Sequence, residues 1–276
     1  MTNGTVVTGS FDDLRAHDVR FLQEAARTGP VRVLLWTDEA ALALNGQLPR
    51  FSAAERRYLV EALHHVDRLT MLDCRTPHEL SAALRGEGDS GALLAIDATG
   101  SSPLLAAISD SRGIAVRAVP AEVTATIPDT AGEPPPPATG RKRVIVTGCY
   151  DWLHSGHVRF FEEVSQLGDL FVVVGHDANV RLLKGAGHPL FPATTRRFMA
   201  GAIRYVTRAL ISSGDGWMDA APEIDMIRPD IYAVNEDGDK PEKRQFCRER
   251  GLEYVVLRRT PRPGLPRRAS SDLRGF

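Results

Sequence analysis

Two histidines, His154 and His157, lie three residues apart with Gly156 between them, in a segment (residues 148–157) that spells GCYDWLHSGH. A β-branched run precedes this segment, and a helix is predicted to begin near Gly156. A helix N-terminus presents unpaired N–H groups and the positive end of the helix dipole, so it binds anions. Two imidazoles on the first turn add hydrogen-bond donors, and a glycine lets a phosphate approach the backbone. The pattern predicts a site for phosphate chemistry.

The elements that must position this segment are short apolar strands alternating with helices. In the first half, strands are predicted near residues 5–7, 31–35, 69–72, 92–96 and 115–119. In the second half, strands are predicted near 144–146, 170–174, 209–211, 231–234 and 254–257, with helices near 156–167, 194–205, 217–227 and 241–250. This alternation predicts an α/β fold with parallel sheets covered by helices on both faces. Ligands bind at the carboxyl ends of such strands, where residues 148–157 lie.

The two halves resemble each other. Residues 7–46 align with residues 146–185 without a gap, at a constant offset of 139 residues. Val-Thr-Gly recurs at the start of both segments, and Asp12 aligns with Asp151. Because the matches include glycine, aspartate and arginine, they predict an internal duplication rather than a chance similarity of apolar residues.

A proline-rich segment separates the halves, with four consecutive prolines at residues 134–137. Such a run favours an extended chain and joins neither a helix nor a central strand. We therefore expect a first repeat over residues 1–120, a linker over 121–142 and a second domain over 143–276.

The second half resembles the cytidylyltransferase-like nucleotidyltransferase family, whose signature is G-x-[FY]-D-x-x-H-x-G-H. It is most similar to the two-repeat phosphoethanolamine and glycerol-phosphate cytidylyltransferases. Further motifs of the family fall in order: a lysine after the second strand (Lys184), an arginine eight residues before an R-Y-V stretch (Arg196), and a serine loop that here spells RASSDLR over residues 268–274. The resemblance implies two tandem Rossmann-like nucleotidyltransferase domains.

The resemblance also implies a function and a set of site residues. The reaction is transfer of CMP from CTP to a small phosphorylated or phosphonate acceptor, with release of pyrophosphate and with Mg²⁺ bridging the phosphates. Asp151 either holds the metal, orients a histidine or has a structural role in the turn. The implied catalytic residues are His154, His157 and Lys184, and the implied nucleotide- or phosphate-binding residues are Gly148, Cys149, Tyr150, Asp151, Gly156, Arg196, Ser270, Ser271 and Arg274.

An acidic loop and an arginine-rich stretch complete the predicted site. Glu236 and Asp237 follow the fourth strand of the second half, and either recognise the acceptor or belong to an ordinary polar loop. Arg259 lies in a Pro/Gly-rich stretch that is either a lid over the anions or a solvated charge run. The pair Arg259-Thr260 occurs in the resembling cytidylyltransferases and favours CTP. Two alternatives stay open: an adenylyltransferase of the FMN or phosphopantetheine type, and a regulatory protein that binds nucleotide without turnover.

The first half lacks these chemical groups. At the positions of His154, Gly156, His157 and Lys184 it carries Arg15, His17, Asp18 and Asn45. A carboxylate where a triphosphate should bind is unfavourable, so we expect this repeat to be inactive. It offers a partner surface of the same fold, and we expect either a homodimer or a pseudo-dimer within one chain.

The composition of the 276-residue chain excludes several classes of protein. The net charge of −1 gives no reason to expect a nucleic-acid partner. No apolar run approaches the roughly 18 residues of a membrane span, and the first residues do not resemble a secretory signal. The three cysteines lie far apart, which argues against disulfides and structural zinc. We expect a reduced, cytoplasmic enzyme.

Overall fold

β-branched and apolar runs form the central strands of two parallel sheets in the computed structural model, which describes residues 4–88, 93–97, 115–129, 139–269 and 273. The chain divides into two compact units, Met1–Ile127 and Pro128–Phe276. Each unit contains a five-stranded sheet in which every pairing is parallel. The predicted α/β fold class is confirmed.

The first unit has the strand order β3-β2-β1-β4-β5. Its elements are β1 (Thr5–Gly9), α1 (Ala16–Ala25), β2 (Val31–Trp36), α2 (Asp38–Asn45), α3 (Ala53–Glu61), β3 (Arg68–Leu72), α4 (Pro77–Gly88), β4 (Leu93–Asp97), β5 (Ala115–Val119) and α5 (Ala121–Ala125).

The second unit repeats this order with its own strands, as β8-β7-β6-β9-β10. Its elements are β6 (Arg143–Gly148), α6 (Ser155–Ser165), β7 (Asp169–Val174), α7 (Asp177–Lys184), α8 (Ala193–Gly201), β8 (Arg208–Ile211), α9 (Ala221–Ile227), β9 (Ile231–Asn235), α10 (Pro241–Glu249) and β10 (Glu253–Leu257). Within the described part of the chain, every helix is too short or too polar to span a bilayer.

The strand order reverses direction between β6 and β9, which are neighbours in the sheet. At such a switch point the connections leave toward opposite faces of the sheet, and a crevice opens at the carboxyl ends of the strands. The core beneath the crevice is apolar, with Ile145 and Val173 almost completely buried. The sheet therefore supplies a rigid floor for the segment that begins at Gly148.

Several predicted boundaries differ from those of the structure. The helix Asp177–Lys184 was not predicted; His176 caps its N-terminus by accepting the Asn179 N–H at 3.3 Å. The helix predicted at 194–205 ends at Gly201, and the one predicted at 217–227 begins at Ala221 after a 3₁₀ turn. The linker predicted from residue 121 begins instead with helix α5, which packs against α1. The four prolines lie outside the described residues.

Candidate nucleotide-binding site

A cavity of about 440 Å³ opens at the carboxyl ends of β6 and β9, beside the N-terminus of α6. Its size is in the range that encloses one drug-sized molecule. The predicted site residues that line it are Gly148, Cys149, Tyr150, Asp151, Gly156, His157, Lys184, Asp237 and Arg259. The structure thus brings residues from four separate segments of the second unit to one place.

The two histidines are packed together at the start of α6. His154 is the N-cap residue, 1% exposed, and its Nδ1 accepts the Gly156 N–H at 3.1 Å. The rings of His154 and His157 stack, with 3.8 Å between their centroids. In a neutral His154 ring the proton must then sit on Nε2, which becomes a hydrogen-bond donor. This arrangement presents imidazole donors at a helix N-terminus.

The charge state of His157 is set by its surroundings. Burial holds its pKa well below the ordinary 6.5, and the neighbouring His154, Arg259 and Lys184 lower it further. The Trp152 backbone acts in the opposite direction but is the smallest influence. Because burial disfavours the charged ring and the nearby cations act in the same direction, His157 is neutral at pH 7 in the absence of a bound anion.

Two glycines have steric roles in this segment. A Cβ atom on Gly148 would lie 2.8 Å from Cζ of Tyr150, whose ring fills that space. A Cβ on Gly156 would lie 3.0 Å from the His154 ring and 3.3 Å from the Arg268 carbonyl oxygen. Tyr150 itself has a left-handed backbone, with φ of 50°, and packs edge-on against His157. The glycines and Tyr150 thus hold the histidine rings in position.

Lys184, the last residue of α7, supplies a cation to the cavity wall. It lies next to Cys149: burial raises the pKa of this thiol, and the positive charge and hydrogen bond of Lys184 act against that rise. Lys184 also contributes to the lowered pKa of His157. The ammonium group therefore acts on the same volume as the imidazoles, as the sequence predicts.

The acidic loop and the arginine-rich stretch meet at the rim of the cavity. Arg259 forms an ion pair with Asp237, and its backbone N–H donates to Glu236 at 3.3 Å. Arg259 also donates to the Arg268 carbonyl oxygen at 2.9 Å. A small extension of about 10 Å³ continues beyond Gly156 and is lined by five arginines, Arg159, Arg258, Arg259, Arg267 and Arg268, together with Glu163. The predicted residues Ser270, Ser271 and Arg274 lie outside the described residues.

The structure corrects the prediction for Arg196. This side chain does not line the cavity; it is 1% exposed and bonded to the protein itself. Its guanidinium donates at 2.7–2.9 Å to the carbonyl oxygens of Cys149, Gly175 and Phe191 and to the Asp177 carboxylate. With its donors turned to these acceptors, Arg196 holds together the loops that form the cavity instead of binding the nucleotide.

The hydrogen bonds of Asp151 favour one of the roles predicted for it. Its carboxylate accepts backbone N–H groups from Leu190 at 2.7 and 2.8 Å and from Phe191 at 3.0 Å. The side chain is 4% exposed and committed to this loop, which favours the structural role over metal binding. Among the described residues no group of three or more metal-ligating side chains occurs. The donor set does not provide a protein cage for a divalent cation.

The first unit repeats this supporting framework. The fully buried Arg56 donates to the carbonyl oxygens of Ser10, Trp36 and Phe51 and to the Asp38 carboxylate. Asp12 accepts the N–H groups of Arg50 and Phe51, just as Asp151 accepts those of Leu190 and Phe191. The same bonds recur in both units, with Asp12 and Asp151 separated by 139 residues and Arg56 and Arg196 by 140, so Arg196 and Asp151 have a structural role in both copies of the fold.

The chemical groups differ between the units. Where His157 stands in the second unit, Asp18 of the first unit accepts the Arg15 N–H at 2.8 Å and caps the N-terminus of α1. A carboxylate therefore occupies the place in which a phosphate would bind. His17 pairs with Asp97, at the end of β4. A smaller cavity of about 190 Å³ persists there, lined by Asp18 and Asp97 but by no lysine or arginine of the described residues.

Sequence reasoning missed several residues that line the main cavity. Trp152 lies in the 148–157 segment, at a position that the motif leaves open, and His188 and Leu190 belong to no motif singled out above; Lys243 comes from α10. Phe160 could have been found, since it lies one helical turn after His157 and must share its face of α6. His188, Leu190 and Lys243 could not, because their positions depend on how distant segments fold back onto the cavity.

Imidazoles, a lysine and arginines around a helix N-terminus at the switch point of a parallel sheet are suited to moving a nucleoside phosphate between anions. By fold and site the chain is a nucleotidyltransferase. The family model described as Cytidylyltransferase-like matches residues 145–259.

Individual relatives support the same class. The FAD synthase of Aciduliprofundum boonei is 38% identical over 136 residues, which are 48% of this chain and 84% of the relative. The FAD synthase of Methanoculleus marisnigri is 42% identical over 125 residues, covering 44% of this chain and 80% of the relative. The bifunctional protein HldE of Methylococcus capsulatus is 40% identical over 99 residues, 36% of this chain and 20% of the relative. The chain belongs to the cytidylyltransferase-like family.

These relatives correct the prediction of CTP-dependent cytidylyl transfer. Several of them are named FAD synthase, and the nucleotide half of FAD is adenosine monophosphate rather than cytidine monophosphate. The prediction of CTP from Arg259-Thr260 was therefore wrong; in the structure Arg259 forms an ion pair with Asp237, and its backbone N–H donates to Glu236. The finer resemblance to two-repeat phosphoethanolamine and glycerol-phosphate enzymes is not confirmed by these relatives.

Proposed function

We propose that this chain is an ATP-dependent FMN adenylyltransferase, which forms FAD and pyrophosphate from ATP and FMN. The observation that carries the proposal is the similarity to FAD synthases, which extends over 84% of the length of one of them at 38% identity. The cavity supports it, because its cations and imidazoles match a reaction between two phosphate anions.

The chemistry that the site must perform is a substitution at phosphorus. An oxygen of the FMN phosphate forms a bond to the α-phosphorus of ATP, and the bond from that phosphorus to the bridging oxygen of pyrophosphate breaks. The attacking phosphate is already ionised, so no strong general base is required. The protein must bring the two anions together and stabilise the charge that develops on the oxygens.

The polar groups that line the cavity, and the buried His154 beside them, each have a part in this proposal. His154 and His157 donate hydrogen bonds to the phosphate oxygens at the N-terminus of α6. Lys184 offsets the charge where the acceptor and α-phosphates meet. The arginines around the small extension, Arg259 and Arg268 among them, stabilise the charge of the β- and γ-phosphates from beside the main cavity. Arg259 must then exchange its ion pair with Asp237 for a phosphate.

Nucleotidyltransferases of this kind typically use a divalent metal ion, and we propose Mg²⁺. The described residues offer no cage for it, since Asp151 is bonded to backbone N–H groups. Mg²⁺ is commonly held largely by substrate phosphates and water, so it would accompany the triphosphate of the nucleotide.

The experiment is to incubate the full chain with FMN and Mg²⁺, together with either ATP or CTP, and to separate the flavins by chromatography. We expect FAD with ATP and pyrophosphate in equal amount. Phosphopantetheine as acceptor tests the other adenylyltransferase reaction, and His157→Ala is the inactive control. Absence of FAD, with pyrophosphate released from ATP only when phosphopantetheine is supplied, would refute the proposal.

A further inference from the structure

The geometry of substitution at phosphorus indicates which side of the cavity binds the acceptor and which binds the pyrophosphate group. The attacking oxygen and the leaving pyrophosphate lie roughly in line on opposite sides of the phosphorus. The arginines that line the small extension supply positive charge for the pyrophosphate group, and the extension shares Gly156, Phe160, Asn235 and Arg259 with the main cavity. The segment from Lys184 to Leu190 lines the main cavity but not this extension. The acceptor therefore belongs on the side of that segment.

This acceptor side carries an apolar surface. The Leu190 side chain is 44% exposed although its backbone N–H is fixed by two hydrogen bonds to the buried carboxylate of Asp151. Trp152 lines the same cavity and packs edge-on against Phe191, the residue after Leu190, with ring centroids 6.2 Å apart. Covering an exposed leucine at a cavity wall with an apolar ligand group stabilises the complex.

The first unit supplies an internal comparison. There the carboxylate of Asp12 accepts the backbone N–H of Arg50, which stands in place of the leucine. The residue that corresponds to Trp152 is Asp13, and Asp13 and Arg50 form an ion pair at 3.7 Å. The framework thus accepts either an ion pair or an apolar pair at these two positions. The second unit, which holds the histidines, has the apolar pair.

The volume of the cavity sets a further condition. ATP and FMN are each drug-sized, and a cavity of about 440 Å³ encloses only one such molecule. Part of the acceptor must therefore extend along the rim. A polyol phosphate would present hydroxyl groups there, whereas FMN presents a flat, largely apolar ring system.

We propose that Leu190 and Trp152 form the surface on which the flavin ring of the acceptor packs, so that these residues select an aromatic phosphate over a small polyol phosphate. This inference rests on the proposed function. Lys184, at the end of α7, would then contact the phosphate of the same molecule while Leu190 contacts its ring.

The test replaces Leu190 by the residue that the first unit carries at this position. Leu190→Arg should raise the KM for FMN about tenfold or more, with kcat reduced much less and the KM for ATP unchanged. Leu190→Ala should act in the same direction more weakly. The folded framework already accommodates arginine at the equivalent position, and Leu48→Arg, at a leucine of the first unit that is 66% exposed, is the matched control.

A binding measurement separates this inference from the reaction itself. Riboflavin has the ring without the phosphate, and its fluorescence should be quenched on binding the wild-type chain and less so with Leu190→Arg at the same concentration. If FAD forms but Leu190→Arg keeps both the KM for FMN and the riboflavin affinity of the wild type, the apolar surface is refuted and the function stands. If riboflavin binds as expected but no FAD forms, the surface stands and the proposed reaction fails.

Discussion

His154 and His157 lie at the start of α6, and their imidazole rings stack with an interplanar angle of 21°. Removing either ring takes away one preorganised donor to the phosphates. We expect His154→Ala and His157→Ala each to lower kcat by about 10²–10³-fold, measured by FAD formation at saturating substrates. The exposed His78, changed to alanine, serves as the control. Near-normal turnover in both variants would contradict the role assigned to the pair.

Arg196 and Arg56 allow a matched test of the framework. Arg196→Lys and Arg56→Lys each leave several buried carbonyl oxygens without donors, and each should lower the free energy of unfolding of its own unit by about 2–4 kcal/mol, measured in urea. Only Arg196→Lys should also reduce turnover, since it alone loosens the loops around the histidines. Unchanged stability together with a raised KM for ATP would instead restore the ligand role first predicted for Arg196.

Because the pKa of His157 is lowered in the folded chain, the free energy of unfolding should depend on pH below 6.5. Below pH 6.5 the unfolded chain binds a proton at this residue and the folded chain does not, so the free energy of unfolding falls as the pH drops from 6.5. His157→Gln removes this contribution. Its free energy of unfolding should decline less steeply than that of the wild type between pH 6.5 and 4.5, by up to about 1.4 kcal/mol per pH unit. Parallel urea-unfolding curves for the two proteins across that range would contradict the assignment.

Because the Asp18 carboxylate caps α1 in the first unit, we expect the chain to bind one nucleotide, in the second unit. Because Asp18 already satisfies the Arg15 N–H at the start of α1, a triphosphate would meet a negative charge there. Calorimetric titration with a non-hydrolysable ATP analogue should give one site per chain. Asp18→Asn should leave both that number and kcat unchanged, while Lys184→Ala should weaken the single site. A second site in the wild-type chain would show that the first repeat retains nucleotide binding.

Much of the fold followed from the pattern of apolar runs, because strands buried on both faces leave little room for polar residues. The positions of His154, Gly156 and His157 also followed, since a strand end and a helix start bring them together. Helix α7 was missed because it is only eight residues long and is started by a histidine cap. Short helices depend on tertiary contacts more than on their own composition.

The roles of charged residues were harder to predict. An arginine that binds a phosphate and one that bonds to main-chain carbonyl oxygens cannot be told apart in sequence. Arg196 was therefore predicted to bind the nucleotide, whereas in the structure it bonds to main-chain oxygens. Leu190 gave no signal, because its position at the cavity wall depends on a backbone hydrogen bond to a residue 39 positions away. The choice between ATP and CTP depends on the shape of a base pocket built from loop backbone, which residue types alone do not reveal.

The guanidinium of Arg196 bonds mainly to main-chain oxygens, and this has a consequence for how such a site changes over time. A carbonyl oxygen is present whatever side chain its residue carries, so the path of the loops survives substitution along them. The two units already illustrate this tolerance. The carbonyl oxygens that accept from Arg56 belong to Ser10 and Trp36, whereas the equivalent oxygens that accept from Arg196 belong to Cys149 and Gly175. Single substitutions in these loops can therefore change substrate preference while the backbone of the loops keeps its path.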